Sequence, residues 1–376
     1  MVNLTGLSPT DPDMIPTSQS IQNLIRQRFS CRKYEKKPIP ALVRKKIQAM
    51  LGETMDGPFG NQARFRLIAA KERDSTILHG LGTYAFIQNP AGFVLGAICP
   101  AEKFLEDFGY LMETIVLQLT DLGLGTCWLG GTFTQSSFAR KMDLQGKERM
   151  PAVVSVGLIA DQDRARDTFL RRRISADDRK PWEKIFFQGD FGYPIETPQG
   201  LRQFTKSLNT TSKCEEIDDT PALMSLRAFF AKQSRFSLPG DGFGAENAPH
   251  NEIKEEAFRN DMEGELREES QLATALEMVR LAPSASNKQP WRVVVTENAC
   301  HFYLQRTRKY GKGSFTYRVL GLADLQRVDL GIAMCHFDLT ARELGLPGRW
   351  VVEEPGIQKP DDLTEYVASW ILDESS

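Results

Sequence analysis

Long hydrophobic runs are absent from the sequence, which has no apolar stretch of about 18 residues, the length that a membrane-spanning helix needs. Its first residues lack a basic stretch followed by an apolar one, so we expect no signal peptide. Histidine and cysteine are scarce, at 4 and 6 residues, and neither is spaced as in metal sites or CxxC motifs. We therefore expect no metal site, no disulfide framework and a reducing, cytoplasmic location.

Neither sign of charge is in excess. The chain has 47 Lys and Arg against 49 Asp and Glu, for a formal net charge of −2. Such a balance gives no basic field for nucleic acid or for an anionic membrane, so we expect neither partner. A hydrophobic content of 41% and a charged content of 26% are ordinary for a globular protein. The 376 residues are enough for two domain-sized units.

Two stretches of the chain share one pattern at a constant offset. DFG at 107–109 and DLG at 329–331 each precede an apolar-periodic run that ends in LGL and then Trp128 or Trp350. The offset is the same at both ends (329 − 107 = 350 − 128 = 222). The periodicity, an Asp near the start and a Gly after the end predict a long helix in each stretch. The repeat indicates an internal duplication.

A second pair of segments supports the duplication. GPFGNQARFR at 57–66 is similar to APSASNKQPWR at 282–292, and each precedes an apolar stretch that we expect to form a strand, at 67–70 and 293–295. The β-branched run at 150–160 predicts another buried strand. The polar, turn-rich stretch at 192–221 is the expected join. We therefore expect an N-terminal half at 1–200 and a C-terminal half at 201–376.

The segment RFSCR at 28–32 follows an amphipathic stretch and brings Arg28, Ser30 and Arg32 close together in sequence. Guanidinium groups match phosphate oxygens through paired hydrogen bonds, and a serine hydroxyl adds a neutral donor. The pattern therefore suits a phosphate clamp. The alternative interpretation is the solvated basic end of a helix.

Two further segments suit close contact with a ligand. GLGTCWLGG at 123–131 is rich in glycine, which lets a flat ligand approach backbone N–H groups, although a helix cap followed by a turn is the alternative. PSASNKQPW at 283–291 offers the hydroxyl of Ser284 and the amides of Asn287 and Gln289, although it could be a plain loop between helix and strand. We interpret Cys127 as a buried structural thiol, because no His or Lys accompanies it.

Together these motifs resemble those of the nitroreductase family, whose members are FMN-dependent oxidoreductases. The resemblance rests on Arg-x-Ser-x-Arg, on the glycine segment and on Pro-Ser-x-x-Asn-x-Gln-Pro-Trp, and it spans most of Ile21–Phe187 and the core of Ala273–Val352. Family members normally form intertwined homodimers with each FMN at the interface. The resemblance implies an α+β fold with two pseudo-symmetric halves, each with a mixed, mostly antiparallel sheet flanked by helices.

The resemblance also implies which residues bind the cofactor, and it names no catalytic side chain. In this interpretation the late loop supplies what a partner subunit normally contributes. The implied cofactor-binding residues are Arg28, Phe29, Ser30, Arg32, Leu129, Gly130, Gly131, Arg179, Pro283, Ser284, Ala285, Asn287 and Gln289.

The two halves depart from the family pattern in complementary ways. The first half has PFGN at 58–61 in place of the late loop. The second half has RFSLP at 235–239, outside the residues that the structure describes, with Pro239 in place of the second arginine, and VE at 352–353 in place of the glycines. These losses predict one composite FMN site per chain. A lysine beside the flavin N1 edge, frequent in the family, has no counterpart at 84–90, and Lys71 is the nearest candidate.

The function that the resemblance implies is that of an FMN-dependent NAD(P)H oxidoreductase. Hydride would pass through flavin N5, by ping-pong turnover in one pocket, to a small nitro or quinone-like electron acceptor. The alternative is a non-catalytic flavin-binding protein, a sensor or a store on the same scaffold. A single chain that mimics the family dimer would act as a monomer.

Overall fold

The structure, a computed structural model, describes residues 17–52, 54–71, 76–78, 81, 83, 86–131, 133, 135–160, 178–201, 271–308 and 323–373. Within these ranges, none of the helices has both the length and the apolar character needed to cross a membrane. The chain divides into two compact units, one made of the parts up to Glu196 and from Thr274 onward, the other of Thr197–Ala273. The sheets and the numbered helices below belong to the first unit.

The helices are α1 (Ile21–Gln27), α2 (Ala41–Met50), α3 (Phe104–Asp121), α4 (Gln135–Met142) and α5 (Leu325–Glu343). The strands are β1 (Met55–Asp56), β2 (Gln62–Ala69), β3 (Gly92–Ile98), β4 (Gly125–Leu129), β5 (Val153–Gly157), β6 (Phe186–Gln188), β7 (Trp291–Val295), β8 (Ala299–Gln305), β9 (Gly348–Val351) and β10 (Thr364–Leu372). Residues 271–281 are also helical. The strands expected at 67–70, 150–160 and 293–295 correspond to β2, β5 and β7.

Two five-stranded sheets share one strand order. The first is β1-β2-β3-β5-β4 and the second is β6-β7-β8-β10-β9. The four strands β2-β3-β5-β4 therefore correspond one to one with β7-β8-β10-β9, and α3 and α5 occupy the same place in the two series. This shared topology, with helices beside the sheets, confirms the α+β fold and the duplicated halves predicted from the sequence.

The outer strands β1 and β6 break the symmetry. β1 pairs antiparallel with β2, and the other strand pairs of the first sheet are antiparallel too. β6 instead pairs parallel with β7, with Phe186 opposite Val293 and Gln188 opposite Val295. The second sheet is thus mixed, and its parallel strand comes from the range 1–200. The division of the chain into copies at 1–200 and 201–376 stays a prediction. β6 belongs to the first of these ranges but pairs with a strand of the second.

The helix prediction was right for both central helices but wrong about the place of Asp329. Asp107 lies in the first turn of α3. By contrast, α5 begins at Leu325 with Asp324 as its N-cap, so Asp329 lies in the second turn and is buried. Its carboxylate does not serve the N-terminus of its own helix. It accepts instead from the N–H of Ala285, in the loop before β7.

The central helices α3 and α5 pack against each other at two glycines related by the duplication. A Cβ added to Gly109 would overlap the backbone carbonyl of Val328, and one added to Gly331 would overlap that of Glu106. Both contacts involve backbone, which cannot rotate away as a flexible side chain can. The two helices therefore require glycine where they cross.

Replacing Gly331 with Ala should destabilise the protein by about 1–3 kcal/mol, because the extra methyl group forces the helices apart. Denaturant unfolding of wild type and variant measures the difference. Gly52→Ala is the matched control, because a Cβ there has ordinary contacts at 3.4 Å with backbone oxygens. Equal destabilisation by the two substitutions would contradict the proposed close crossing.

Candidate functional site

One cavity is lined by the motifs that the sequence analysis singled out. It has a volume of about 140 Å³ and is partly open to solvent. Its lining residues are Arg28, Phe29, Ser30, Arg32, Trp128, Gly130, Ala152, Arg179, Pro283, Ser284, Ala285, Ser286, Asn287, Leu325, Val328, Asp329 and Ile332. The cavity therefore joins the RFSCR segment, the glycine segment and the late loop, which are far apart in sequence.

Most of the predicted cofactor-binding residues lie together in this cavity, namely Arg28, Phe29, Ser30, Arg32, Gly130, Arg179, Pro283, Ser284, Ala285 and Asn287. Leu129, Gly131 and Gln289 are not among the described lining residues. Successive residues of a strand face opposite ways, so Trp128 and Gly130 face the cavity while Leu129 packs in the core of the first sheet. Gly131 is exposed, and Gln289 is buried beneath the loop.

The RFSCR segment leaves α1 and runs beside β4. Helix α1 ends at Gln27, and its C-cap Arg28 has an extended backbone. The N–H of Cys31 then donates to the carbonyl of Thr126 over 2.8 Å, and Ser30 and Thr126 form a parallel bridge. Cys31 is buried in the core, which leaves its neighbours Ser30 and Arg32 at the cavity. The segment is therefore held as an extra strand, and not as a solvated helix end.

A buried polar network underlies the cavity and was missed in the sequence. Glu113 of α3 accepts from the indole Nε1–H of Trp128 over 2.7 Å, and its other oxygen lies 3.0 Å from His336 Nε2. His336 Nδ1 lies 3.0 Å from the carbonyl of Met278, which can only accept, so Nδ1 carries a hydrogen. Arg28 Nε lies 3.6 Å from Glu113. The sequence feature that could have indicated this network is Glu113, a charged residue within the apolar run that forms α3.

The late loop has an unusual backbone. Ser286, Asn287 and Gln289 have φ values of 51°, 52° and 48°, a left-handed conformation that costs free energy in residues other than glycine and often occurs at functional sites. The Ser284 hydroxyl accepts from the N–H of Gln289 over 2.8 Å, and Asp329 Oδ1 accepts from the N–H of Ala285 over 2.9 Å. These bonds hold the loop against the cavity.

The amides of the late loop hold the segment that carries Arg179. Gln289 Oε1 accepts from the N–H of Lys180 over 2.8 Å, and Asn287 Nδ2 donates to the carbonyl of Asp178 over 3.0 Å. Arg179 itself donates to the carbonyl of Leu281 over 3.2 Å. The contribution of Gln289 to the site is therefore to place Arg179.

The charges at the cavity are mostly positive. Arg28, Arg32 and Arg179 line it, and one terminal nitrogen of Arg32, Nη1, is buried without a hydrogen-bond partner. Burial raises the pKa of the Asp329 carboxyl well above its usual range, an effect that the bond from Ala285 opposes and nearby Asp324 reinforces. Three guanidinium groups and one carboxyl whose pKa is raised thus line the cavity, an arrangement that suits an anionic ligand.

Comparison with protein families identifies the class to which this arrangement belongs. The sequence model of the family described as "Putative TM nitroreductase" matches residues 20–203 and 242–341. These segments make up most of the chain, so the chain belongs to the nitroreductase family, a class of oxidoreductases. No curated protein matches the chain significantly.

Several solved structures are similar to this chain. A protein from Thermotoga maritima described as a "putative nitroreductase" is 16% identical over 98% of this chain and 99% of its own, with a TM-score of 0.46. A nitroreductase family protein from Clostridium novyi is 21% identical over 40% of this chain and 89% of its own, with a TM-score of 0.30. A "putative nitroreductase" from Desulfovibrio desulfuricans, in complex with FMN, is 21% identical over 39% of this chain and 89% of its own, with a TM-score of 0.30.

Replacing Gln289 with Leu should loosen the segment at 178–180, because the N–H of Lys180 loses its acceptor. A net hydrogen-bond contribution of roughly 1 kcal/mol corresponds to faster amide exchange at Lys180 by about fivefold or more. Hydrogen-exchange mass spectrometry measures this directly. Gln62→Leu, on the exposed face of β2, is the control and should leave exchange at Lys180 unchanged. Unaltered exchange in Gln289→Leu would refute the assigned role.

Proposed function

We propose that the cavity binds FMN and that the chain is an FMN-dependent NAD(P)H oxidoreductase with a small nitro or quinone-like acceptor. The observation that carries this proposal is the convergence of Arg28, Arg32 and Arg179 on one cavity whose other wall is apolar. FMN has a phosphate dianion that matches the arginines and a flat ring system that matches the apolar wall. The residues present therefore fit this cofactor.

The arginines would hold the phosphate. Arg28 and Arg32 reach the cavity from the segment beside β4, and Arg179 reaches it from the segment that the late loop holds. The buried Nη1 of Arg32, which has no hydrogen-bond partner in the part of the chain that the structure describes, gains an acceptor when an anion binds. Each charge-assisted hydrogen bond of this kind contributes about 1.5–3 kcal/mol.

The apolar wall would accommodate the ring. Helix α5 presents Leu325, Val328 and Ile332 to the cavity, and Trp128 and Phe29 extend the apolar lining. Burial of flat aromatic surface against such side chains stabilises a complex. Gly130 also lines the cavity, and glycine is required there because a Cβ would overlap the side chain of Leu325.

FMN would supply the redox chemistry, taking a hydride at N5 from NAD(P)H and passing it to the acceptor in a second, ping-pong half-reaction. The chain's own residues bind and orient, and we assign none of them a catalytic role here. We further propose one composite site per chain, built from a first copy at 1–200 and a second at 201–376. In that arrangement a monomer replaces the family dimer.

Arg32→Ala and Arg28→Ala should each weaken FMN binding by about 10–100-fold, because each removes a charge-assisted contact with the phosphate. Fluorescence titration with FMN measures the dissociation constant, and the double variant should purify colourless. Arg66→Ala is the control, since Arg66 is exposed on β2 and donates to the Lys141 carbonyl, away from the cavity. Unchanged affinity in Arg32→Ala would exclude the phosphate assignment.

Rapid mixing with NADH or NADPH without oxygen should bleach the yellow absorbance of the FMN-loaded protein. The flavin content should be one FMN per chain, and light scattering should give the mass of one chain. Reduction by dithionite is the control, because it shows whether the bound flavin can be bleached at all. If neither nicotinamide bleaches a flavin that dithionite reduces, the non-catalytic alternative, a flavin sensor or store, is the better description.

A further inference from the structure

Two aspartates related by the duplication differ in how their oxygens are used. Asp107 of α3 accepts from the N–H of Phe59 at Oδ1, and from the N–H and side-chain amide of Asn61 at Oδ2, over 2.9, 3.0 and 2.8 Å. Within the described residues, Asp329 of α5 accepts from the N–H of Ala285 at Oδ1. Its Oδ2 is buried and has no hydrogen-bond partner among those residues. One copy thus uses the whole carboxyl for its loop, and the other leaves one oxygen unused.

The unused oxygen belongs to a residue that lines the cavity. Asp329 and its neighbour Val328 line the cavity together with Leu325 and Ile332, which lie one helical turn before and after Asp329 on α5. Its side chain is almost fully buried, with 3% of the residue exposed. A buried polar atom without a partner costs free energy unless a ligand or water satisfies it. Asp329 therefore supplies the polar atom on an otherwise apolar wall.

The charged groups around Asp329 do not hold it ionised. No salt bridge involves it within the described residues, and burial raises the pKa of this carboxyl well above its usual range. Asp324, on the same helix, favours the neutral form. The cations that face it across the cavity, Arg28, Arg32 and Arg179, would be engaged by an anionic ligand. Because Oδ1 accepts from Ala285, the proton resides on Oδ2.

We propose that Asp329 binds the ligand of this cavity as a neutral carboxylic acid. Oδ1 holds the late loop, and Oδ2–H donates to an acceptor atom of the ligand, a carbonyl oxygen or unprotonated ring nitrogen. This inference rests on the proposed FMN site and adds a ligand-binding residue to it. It also means that the cavity favours ligands with an acceptor at this wall and disfavours those with a carboxylate there.

The sign of the pH dependence follows from this arrangement. The ligand binds the protonated form, so affinity is full below the pKa of Asp329 in the free protein. It falls by about tenfold per pH unit above that pKa. Asp329→Asn keeps an acceptor for Ala285 and a donor toward the cavity but cannot ionise. The ratio of wild-type to variant dissociation constants therefore reports the ionisation of Asp329 alone. The ionisation of the FMN phosphate affects both constants equally and cancels in the ratio.

Isotope-edited infrared spectroscopy tests the proposal on the wild-type chain labelled with carbon-13 at the aspartate carboxyls. We expect a neutral carboxyl band that moves to lower frequency when FMN binds and is missing in Asp329→Asn. The pH at which this band is lost in the free protein should match the pH at which the ratio of dissociation constants begins to rise. Asp107→Asn is the matched control and should leave both the band shift and FMN affinity unchanged.

The possible failures are distinct. If FMN binds but no neutral aspartate band responds to it, or the ratio stays flat across the pH at which the band titrates, Asp329 is not a ligand-binding acid. The FMN proposal survives that result. If wild-type protein binds no FMN at any pH, the proposed function is wrong, and the role of Asp329 in binding FMN is wrong with it.

Discussion

The crossing of α3 and α5 at Gly109 and Gly331 is the contact on which the rest of the structure depends. Because backbone meets backbone at both glycines, the two helices can approach at one place only. Each helix is almost wholly buried and carries its own sheet with it. The cavity lies beside this crossing, and its lining includes Val328, whose carbonyl lies against Gly109.

Polar groups in the same seam connect packing to the site. The Glu113–His336 contact joins the two helices in a fully buried environment, where leaving one polar partner unsatisfied typically costs about 1–3 kcal/mol. Glu113 also reaches Trp128 and Arg28, both of which line the cavity. The seam therefore does not merely support the cavity. It determines the direction of one guanidinium group and one indole within it.

Periodicity and local motifs were enough to predict the long helices, three of the strands, the duplication and most of the residues that now line one cavity. These features are local, or repeat at a constant offset. The parallel pairing of β6, the Glu113–His336 contact and the role of Asp329 were missed, because each depends on a partner more than forty residues away. A loop motif such as PSASN shows which groups are available, and only the fold shows which of them are already used. Gln289 was expected at the ligand, yet its amide holds the backbone at Lys180, whereas Asn287 lines the cavity and also holds Asp178.

The segment that contains β6 has a mechanical consequence for retention of a bound molecule. Arg179 lies a few residues before β6 and is thereby tied to the second sheet, whereas Arg28 and Arg32 are tied to the first through β4. The three arginines proposed to bind the phosphate are thus anchored on two different sheets. We therefore expect the residence time of a bound anion to depend on motion between the two sheets.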